Sequence, residues 1–368
     1  MNATGIIFAS DNEVKLNELT LHRTTASLPF GGRYRLVDFA LSNFVNSGIS
    51  KIAIITRNNY ESLMDHIRMG RDWDLNRKKS GIAVFPPYFG TSKGVYRGKI
   101  EAFQNIISYI KERAEENVVI VNSNVAANVD FEPMLEQFEE SGADIMMPYF
   151  KAFPSSGKRV IIETDEKENV TDIMIHEGAS YVEAKISLGA YIIKRDLLVS
   201  LVEGAYSRNM YDFERDILQR KIGSLDMRGY EIKGYCSIID DVKSYYNSSM
   251  KLLNKEIRDD LFYRNGNIYT KVKDSAPTIY RDGAVVNNSL IADGCVIDGQ
   301  VENSILFRGV TVEKGAVIRN SIIMEKGVVE KGAQISYCIT DKNVRVTKDR
   351  QLAGYETYPI VIVKDKTV

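Results

Sequence analysis

The chain has 368 residues, of which 44% are hydrophobic and 26% charged, and its formal net charge is −1. This length exceeds the usual size of one core, so we expect two domains. The near-zero charge excludes a global field that would favour nucleic acid or an anionic membrane. Because the N-terminus has no basic region and no stretch of about 18 apolar residues occurs, we predict a cytoplasmic protein. The three cysteines have no metal-ligand spacing and are interpreted as reduced core residues.

The first two thirds of the sequence alternate short apolar runs with amphipathic stretches. Apolar runs at 5–9, 51–56 and 118–121 predict buried strands, and further strands are expected at 143–150, 159–164 and 181–193. Helical spacing predicts helices within 31–48, at about 60–69 and about 99–115, and at 242–254. This alternation predicts an α/β fold with a right-handed, doubly wound sheet.

Two arginines, Arg33 and Arg35, precede the helix that ends near Gly48. The first N–H groups of a helix lack intrahelical partners, so we predict that this place could hold an anion. A solvated loop with two arginines is the alternative interpretation. His66 has no other ligand type at metal spacing and is interpreted as an ordinary core or surface histidine.

The pattern of residues in the sequence changes after residue 277. Similar segments begin at Val286, Val301, Ile318 and Ile335 and recur every 15 to 17 residues. Such a period indicates stacked coils, because no single coil can bury its apolar side alone. We predict an α/β domain at 1–254, a hinge at about 255–277 and a left-handed parallel β-helix at 278–368. All three histidines precede the β-helix, which argues against a β-helix acyltransferase with a histidine base.

The stretch PFGGRYRLVDFALSN, followed by NSGI, is similar to a segment near the N-terminus of the ADP-glucose pyrophosphorylases, or glucose-1-phosphate adenylyltransferases. The resemblance implies a Rossmann-like nucleotidyltransferase domain followed by a left-handed β-helix. It also implies nucleotide contacts at Tyr96 and Gly98, from the family's Tyr-Arg-Gly, and a sugar-phosphate contact at Ser187, from its Ser-x-Gly. Packing alone could equally explain Ser187.

The sequence departs from the family's pattern wherever phosphate or metal is bound. Acidic and polar residues replace the glycines of the phosphate loop at 10–13, Thr25 stands at a lysine position, and Glu177 stands at the sugar-phosphate lysine. Asn124 replaces an aspartate that holds magnesium in the family. The second such aspartate aligns with Ile238 or, after a slip of two residues, with Asp240. We therefore predict no catalytic residues, no bound metal ion and no cofactor.

These departures lead to a functional hypothesis. The resemblance implies a catalytically degenerate, regulatory subunit of ADP-glucose pyrophosphorylase in glycogen biosynthesis. It would pair with a catalytic subunit that makes ADP-glucose and pyrophosphate from ATP and glucose 1-phosphate, in a hetero-oligomer expected to be a tetramer. A phosphorylated sugar effector would contact Arg33 and Arg35. The alternatives are a weakly active adenylyltransferase and a phosphosugar sensor that acts alone.

Overall fold

The computed structural model of the chain describes residues 2–9, 14–77, 81–87, 96–155 and 157–368. Its helices are α1 (Leu36–Asn46), α2 (Glu61–Ile67), α3 (Lys99–Asn105), α4 (Ile107–Lys111), α5 (Glu132–Ser141), α6 (Arg195–Tyr206), α7 (Val242–Lys251) and α8 (Lys255–Tyr263). A π-helical turn spans Glu214–Leu218. No helix within the described ranges is long and apolar enough to cross a membrane.

The strands fall into an N-terminal and a C-terminal set. The first set is β1 (Ala3–Phe8), β2 (Pro29–Phe30), β3 (Tyr34–Arg35), β4 (Lys51–Ile55), β5 (Gly81–Phe85), β6 (Asn117–Asn122), β7 (Val125–Ala127), β8 (Ile145–Ala152), β9 (Lys158–Thr164), β10 (Val170–Glu177), β11 (Ala184–Ser187), β12 (Tyr191–Lys194), β13 (Met227–Glu231) and β14 (Cys236–Ile238). The second set is β15 (Ile279–Tyr280), β16 (Val285–Asn287), β17 (Leu290–Ile291), β18 (Val296–Ile297), β19 (Gln300–Glu302), β20 (Ile305–Leu306), β21 (Thr311–Val312), β22 (Val317–Arg319), β23 (Ile322–Ile323), β24 (Val328–Val329), β25 (Gln334–Ser336), β26 (Cys338–Thr340), β27 (Arg345–Val346), β28 (Gln351–Ala353) and β29 (Ile360–Ile362).

A ten-stranded mixed sheet forms the centre of the N-terminal part, in the order β10-β9-β11-β8-β12-β6-β1-β4-β5 with β13 paired to β8. Strands β6, β1, β4 and β5 run parallel. Every residue of β1 is buried, as expected for a strand with both faces covered. Helices cover the sheet and bury their apolar sides against it. The predicted Rossmann-like α/β sheet is confirmed.

Two local predictions differ from the structure. The single helix predicted at about 99–115 is two short helices, because the chain tightens at Ile106, whose N–H bonds to the Phe103 carbonyl at 3.0 Å. The strand predicted at 181–193 is the pair β11 and β12. Gly189 separates them with φ +71°, and a Cβ there would lie 2.5 Å from Asn122 Nδ2. A close approach to a neighbouring strand, invisible in the local pattern, therefore decides this break.

The C-terminal part is a β-helix of three parallel five-stranded sheets, built by β15–β29. In the first four coils, one corner carries a hydroxyl or thiol that contacts the next coil. Ser304 N–H donates to Ser289 Oγ and Ser321 N–H to Ser304 Oγ, each at 3.1 Å. The residues before these serines, Asn288, Asn303 and Asn320, have a left-handed backbone conformation, which asparagine tolerates. The predicted stacking of repeats into a β-helix is confirmed.

One core cluster joins the two parts. Phe262 of α8 stacks on Tyr34 with ring centroids 4.7 Å apart, and the Tyr246 hydroxyl donates to the Asn320 carbonyl at 2.7 Å. Arg23 pairs with Asp341 at 2.7 Å, and both side chains are almost fully buried. The segment predicted as a hinge thus contains a packed helix, α8. The domain bounds 1–254 and 278–368 stay a prediction.

Candidate functional site

A polar cleft lies at the carboxyl end of β6, where ligands bind in open α/β sheets. Strands β6 and β11 contribute Asn122 and Ser187 to it, and the segments after β6 and β14 contribute Asn124 and Asp240. Its other lining residues are Val14, Arg97, Gly98, Lys99, Lys158, Arg159, Val160, Leu188, Gly189, Tyr191, Tyr211, Asp212, Phe213, Glu214 and Ile238. The fold therefore brings together residues as far apart in the sequence as Val14 and Asp240.

The structure decides which acidic residue faces Asn124. Strands β7 and β14 pair antiparallel with Ile238 opposite Val125, so the residues just outside this pairing come together. Asn124 Nδ2 lies 2.9 Å from Asp240 Oδ1 and 3.3 Å from the Ile239 carbonyl. The Asp240 N–H donates to Ser244 Oγ at 3.0 Å. Asp240, rather than Ile238, is therefore the carboxylate at this place.

Arg159 holds the other oxygen of the Asp240 carboxylate, and sequence reasoning missed this residue. Its Nη1 pairs with Asp240 Oδ2 and also donates to the Lys158 carbonyl at 2.9 Å. Its Nη2 donates to Ser155 Oγ at 3.1 Å, and only 3% of the side chain is exposed. Two successive cations that open an otherwise apolar strand were the one sequence signal for this role.

Two further ion pairs line the cleft. Lys158 Nζ lies 3.2 Å from Asp212 Oδ2, and Lys99 pairs with Glu214. Although burial alone would raise the pKa of Asp212, the Arg215 N–H and the Lys158 charge lower it. Tyr191 donates its hydroxyl to Glu214 Oε1 at 3.2 Å, and burial followed by the Glu214 charge raises the pKa of this phenol well above its usual value. The cleft is thus lined by positive side chains that are paired with negative ones.

The residues of this cleft do not fit the magnesium ion that the resemblance implies. Mg²⁺ needs anionic oxygen ligands, but Asn124 is neutral, its Nδ2 faces Asp240, and the second carboxylate oxygen is paired with Arg159. Within the described residues no group of three or more acidic, histidine or cysteine side chains could hold a metal ion.

The predicted site residues divide between core and cleft. Gly98 lines the cleft, where a Cβ would collide with the Tyr211 carbonyl. Tyr96 packs in the core and donates to the Pro86 carbonyl at 3.2 Å. Ser187 lines the cleft and is buried, with the Gly189 N–H 3.3 Å from its Oγ. Glu177 lies opposite Lys158 in the β9–β10 pair. Their ligand roles stay predictions, and residues 10–13 lie outside the described ranges.

A second pocket, which we call the basic pocket, surrounds Arg33 and Arg35 between the sheet domain and the β-helix. It is lined by Pro29, Arg33, Tyr34, Arg35, His66, Lys271, Lys273, Arg308, Glu325 and Lys342. Arg35 Nη1 donates to the Ser62 carbonyl at 2.6 Å. Two of the N–H groups at the helix start already have partners, since the Arg35 N–H bonds to Asp38 Oδ2 and the Leu36 N–H bonds to the Leu28 carbonyl, and the predicted anion contact stays a prediction. Side-chain cations therefore define this pocket.

Glu325 is the one carboxylate that lines the basic pocket among the described residues. It pairs with Lys342 at 2.8 Å and with Lys273 at 2.9 Å. Burial would raise its pKa, but these two lysines lower it to about 2. Burial lowers the pKa of Lys342 to about 8, with the positive charge of Arg35 acting in the same direction. Burial in the pocket, more than the neighbouring positive charges, therefore makes Lys342 easier to deprotonate.

The fold and the cleft define a class of protein: a nucleotidyltransferase domain with a C-terminal β-helix. The family model described as nucleotidyl transferase matches residues 4–255, and that of the GlmU-like C-terminal hexapeptide matches residues 276–357. The chain therefore belongs to the nucleotidyl transferase family, among the homologues of ADP-glucose pyrophosphorylase, as the resemblance implied.

Named relatives refine this placement. The chain is 37% identical over 361 residues to the "Glycogen biosynthesis protein GlgD" of Bacillus subtilis, covering 98% of this chain and 95% of that protein. It is 37% identical to the protein of the same name from Geobacillus stearothermophilus, covering 85% and 82%. It is 30% identical to the "Glucose-1-phosphate adenylyltransferase" of Thermosipho africanus, covering 86% and 78%.

Proposed function

We propose that the chain is a catalytically degenerate, regulatory subunit of ADP-glucose pyrophosphorylase in cytoplasmic glycogen biosynthesis. The observation that carries the proposal is the contact of Asp240 with Asn124 and Arg159. Asn124 contacts one oxygen of the carboxylate and Arg159 contacts the other. Relatives with both kinds of name, glycogen biosynthesis protein and glucose-1-phosphate adenylyltransferase, support the pathway. The fold is retained while its metal chemistry is not, so the surfaces of the protein carry the function.

An open end of the β-helix supports the proposed partnership. The first coil exposes Ile279, Tyr280 and Val285, each more than half accessible, on edge strands with no further coil beyond them in the described chain. At the other end the final residues cover one of the three edge strands, β27, since the Arg345 and Thr347 N–H groups bond to carbonyls of 366 and 368. Terminal coils of solenoids normally present polar outer faces. A homologous β-helix, which exposes the same kind of edge, fits this apolar end.

The deciding experiment is co-purification with a catalytic glucose-1-phosphate adenylyltransferase, followed by kinetics of the mixture. A partner that binds the active conformation preferentially raises its population. We expect one complex by light scattering and a change in activity or effector response equivalent to about 1 to 3 kcal/mol of coupling. Val285→Asp should abolish the complex, whereas Val182→Asp, at a valine of the sheet domain that is 73% exposed against 59% for Val285, should not.

Three results would separate the alternatives. If the chains elute separately at micromolar concentration and the kinetics equal those of the catalytic chain alone, the regulatory-subunit proposal fails and a lone phosphosugar sensor is favoured. Turnover by this chain alone would favour the weakly active adenylyltransferase. Equal loss of complex in both valine variants would remove the β-helix end from the proposed interface.

The basic pocket is proposed as the effector site, with a phosphate group of a sugar phosphate as its ligand. We expect an Arg33→Ala, Arg35→Ala double variant to bind sugar phosphates at least about tenfold more weakly, because charge-assisted hydrogen bonds to anions are the strong ones. Calorimetry measures this. An Arg220→Ala variant, whose arginine is 60% exposed and outside the pocket, is the control. Unchanged binding in the double variant would exclude the two arginines from the site.

The pocket's anion affinity should depend on pH through Lys342. Because its pKa is lowered to about 8, raising the pH from 7 to 9 removes most of one positive charge. One unit charge at about 5 Å and an effective dielectric near 20 contributes up to about 3 kcal/mol, so sulfate, which stays dianionic, should bind about tenfold or more weakly at pH 9. Lys342→Met should remove this dependence, and Lys314→Met, at an exposed lysine, should keep it. A wild-type affinity that is flat from pH 7 to 9 contradicts the assignment.

A further inference from the structure

The Arg159 guanidinium lies among oxygen atoms that converge on one place. Asp240 Oδ2, the Lys158 carbonyl and Ser155 Oγ surround its two terminal nitrogens. Carboxylate, carbonyl and hydroxyl oxygens are also the ligands that hard divalent cations take. The guanidinium therefore occupies a position lined by the kinds of oxygen atom that bind a divalent cation.

This place is built from two different sheets. Arg159 belongs to β9 of the ten-stranded sheet, and Asp240 follows β14 of the two-stranded sheet. The turn before β9 approaches Asp240 so closely that a Cβ at Gly157 would lie 2.5 Å from Asp240 Oδ2, and Gly157 has a φ of +94°. This approach is made by the backbone at Gly157, so the chain itself leaves room for the carboxylate.

A buried carboxylate needs a counter-charge, and arginine supplies one that does not deprotonate. Asp240 is 8% exposed and Arg159 is 3% exposed. A divalent ion that entered would have to displace the guanidinium and leave it buried without a partner, which is strongly unfavourable. The Arg159–Asp240 pair of the wild type therefore excludes metal ions from this position.

We propose that Arg159 is a built-in cation that has taken the place of a divalent metal at Asp240, beside Asn124, and that it keeps the cleft closed to such metals. The inference rests on the proposed function only in treating this cleft as non-catalytic. It requires no partner subunit and no turnover, so binding of Mn²⁺ to the isolated chain tests it separately. Failure of subunit pairing would leave it intact.

The test is Mn²⁺ binding, measured by calorimetry and by the electron paramagnetic resonance of free Mn²⁺. In an Asn124→Asp background, Arg159→Met removes the internal cation, whereas Arg159→Lys preserves it in a side chain of similar length. We expect Asn124→Asp alone and Asn124→Asp with Arg159→Lys to bind Mn²⁺ as weakly as the wild type. Asn124→Asp with Arg159→Met should bind about 10- to 100-fold more tightly, the range of effects that changes around metal ligands produce.

Two outcomes overturn the proposal. Equal Mn²⁺ affinity of the methionine and lysine variants would show that the positive charge of residue 159 does not exclude the metal. The methionine variant could also fold, with wild-type circular dichroism, and bind Mn²⁺ no better than the wild type. That result would show that this position is not a cation-binding site. If the methionine variant does not fold, Arg159→Gln in the same background provides the neutral side chain, and the same two outcomes apply.

Discussion

The purified chain is expected to make no ADP-glucose above background from ATP and glucose 1-phosphate, with magnesium and both substrates saturating. Asn124 cannot supply a metal charge, and Asp240 is held by Arg159. The resemblance implies that acidic residues at 11 and 13 stand in place of family glycines, and one like charge placed about 4 Å from a phosphate would cost up to about 4 kcal/mol at an effective dielectric near 20. Loss of metal catalysis removes several kcal/mol more. Even half of this sum lowers the rate roughly a thousandfold.

The measurement is ADP-glucose formation by mass spectrometry over hours, with a catalytic glucose-1-phosphate adenylyltransferase in the same buffer as the positive control. Isotope exchange between pyrophosphate and ATP in the presence of ADP-glucose tests the reverse reaction. A turnover number in the ordinary enzyme range of about 1 to 10³ per second would refute the degenerate cleft and favour the active adenylyltransferase.

Arg23→Met is expected to destabilise the protein by about 3 to 5 kcal/mol, the cost of leaving one member of a buried ion pair without its partner. Arg23 and Asp341 are 4% and 2% exposed and join the sheet domain to the β-helix. The same Asp341 oxygen accepts the Lys342 N–H at 2.7 Å, so the carboxylate cannot turn away to water. Urea unfolding followed by circular dichroism measures the change.

Two variants make this result interpretable. Arg23→Met with Asp341→Leu removes both charges, and we expect it to recover most of the lost stability, because an apolar pair can replace a buried ion pair. Arg281→Met breaks an exposed pair with Asp298, whose atoms are 4.0 Å apart, and should change the free energy of unfolding by less than about 1 kcal/mol. Similar effects of Arg23→Met and Arg281→Met on the free energy of unfolding would show that the buried pair stabilises the protein no more than the Arg281–Asp298 pair does.

Local patterns in the sequence were sufficient for the architecture. The helix that begins at Leu36 follows from apolar residues at helical spacing with a glycine after it, and the β-helix follows from segments repeated every 15 to 17 residues. These signals succeed because helix, strand and coil stacking depend on side chains only a few positions or one repeat apart. The resemblance also predicted that the neutral Asn124 stands at the position of a family aspartate.

Only the tertiary structure decided how the charges are used. The Arg159–Asp240 pair joins residues 81 positions apart, and the basic pocket joins Arg35 to Lys342 across the two domains. A charged side chain has the same sequence signature whether it is solvated, paired or gathered into a pocket, because its partner is chosen by long-range packing. The break at Gly189 has the same origin, since a neighbouring strand leaves no room for a side chain there.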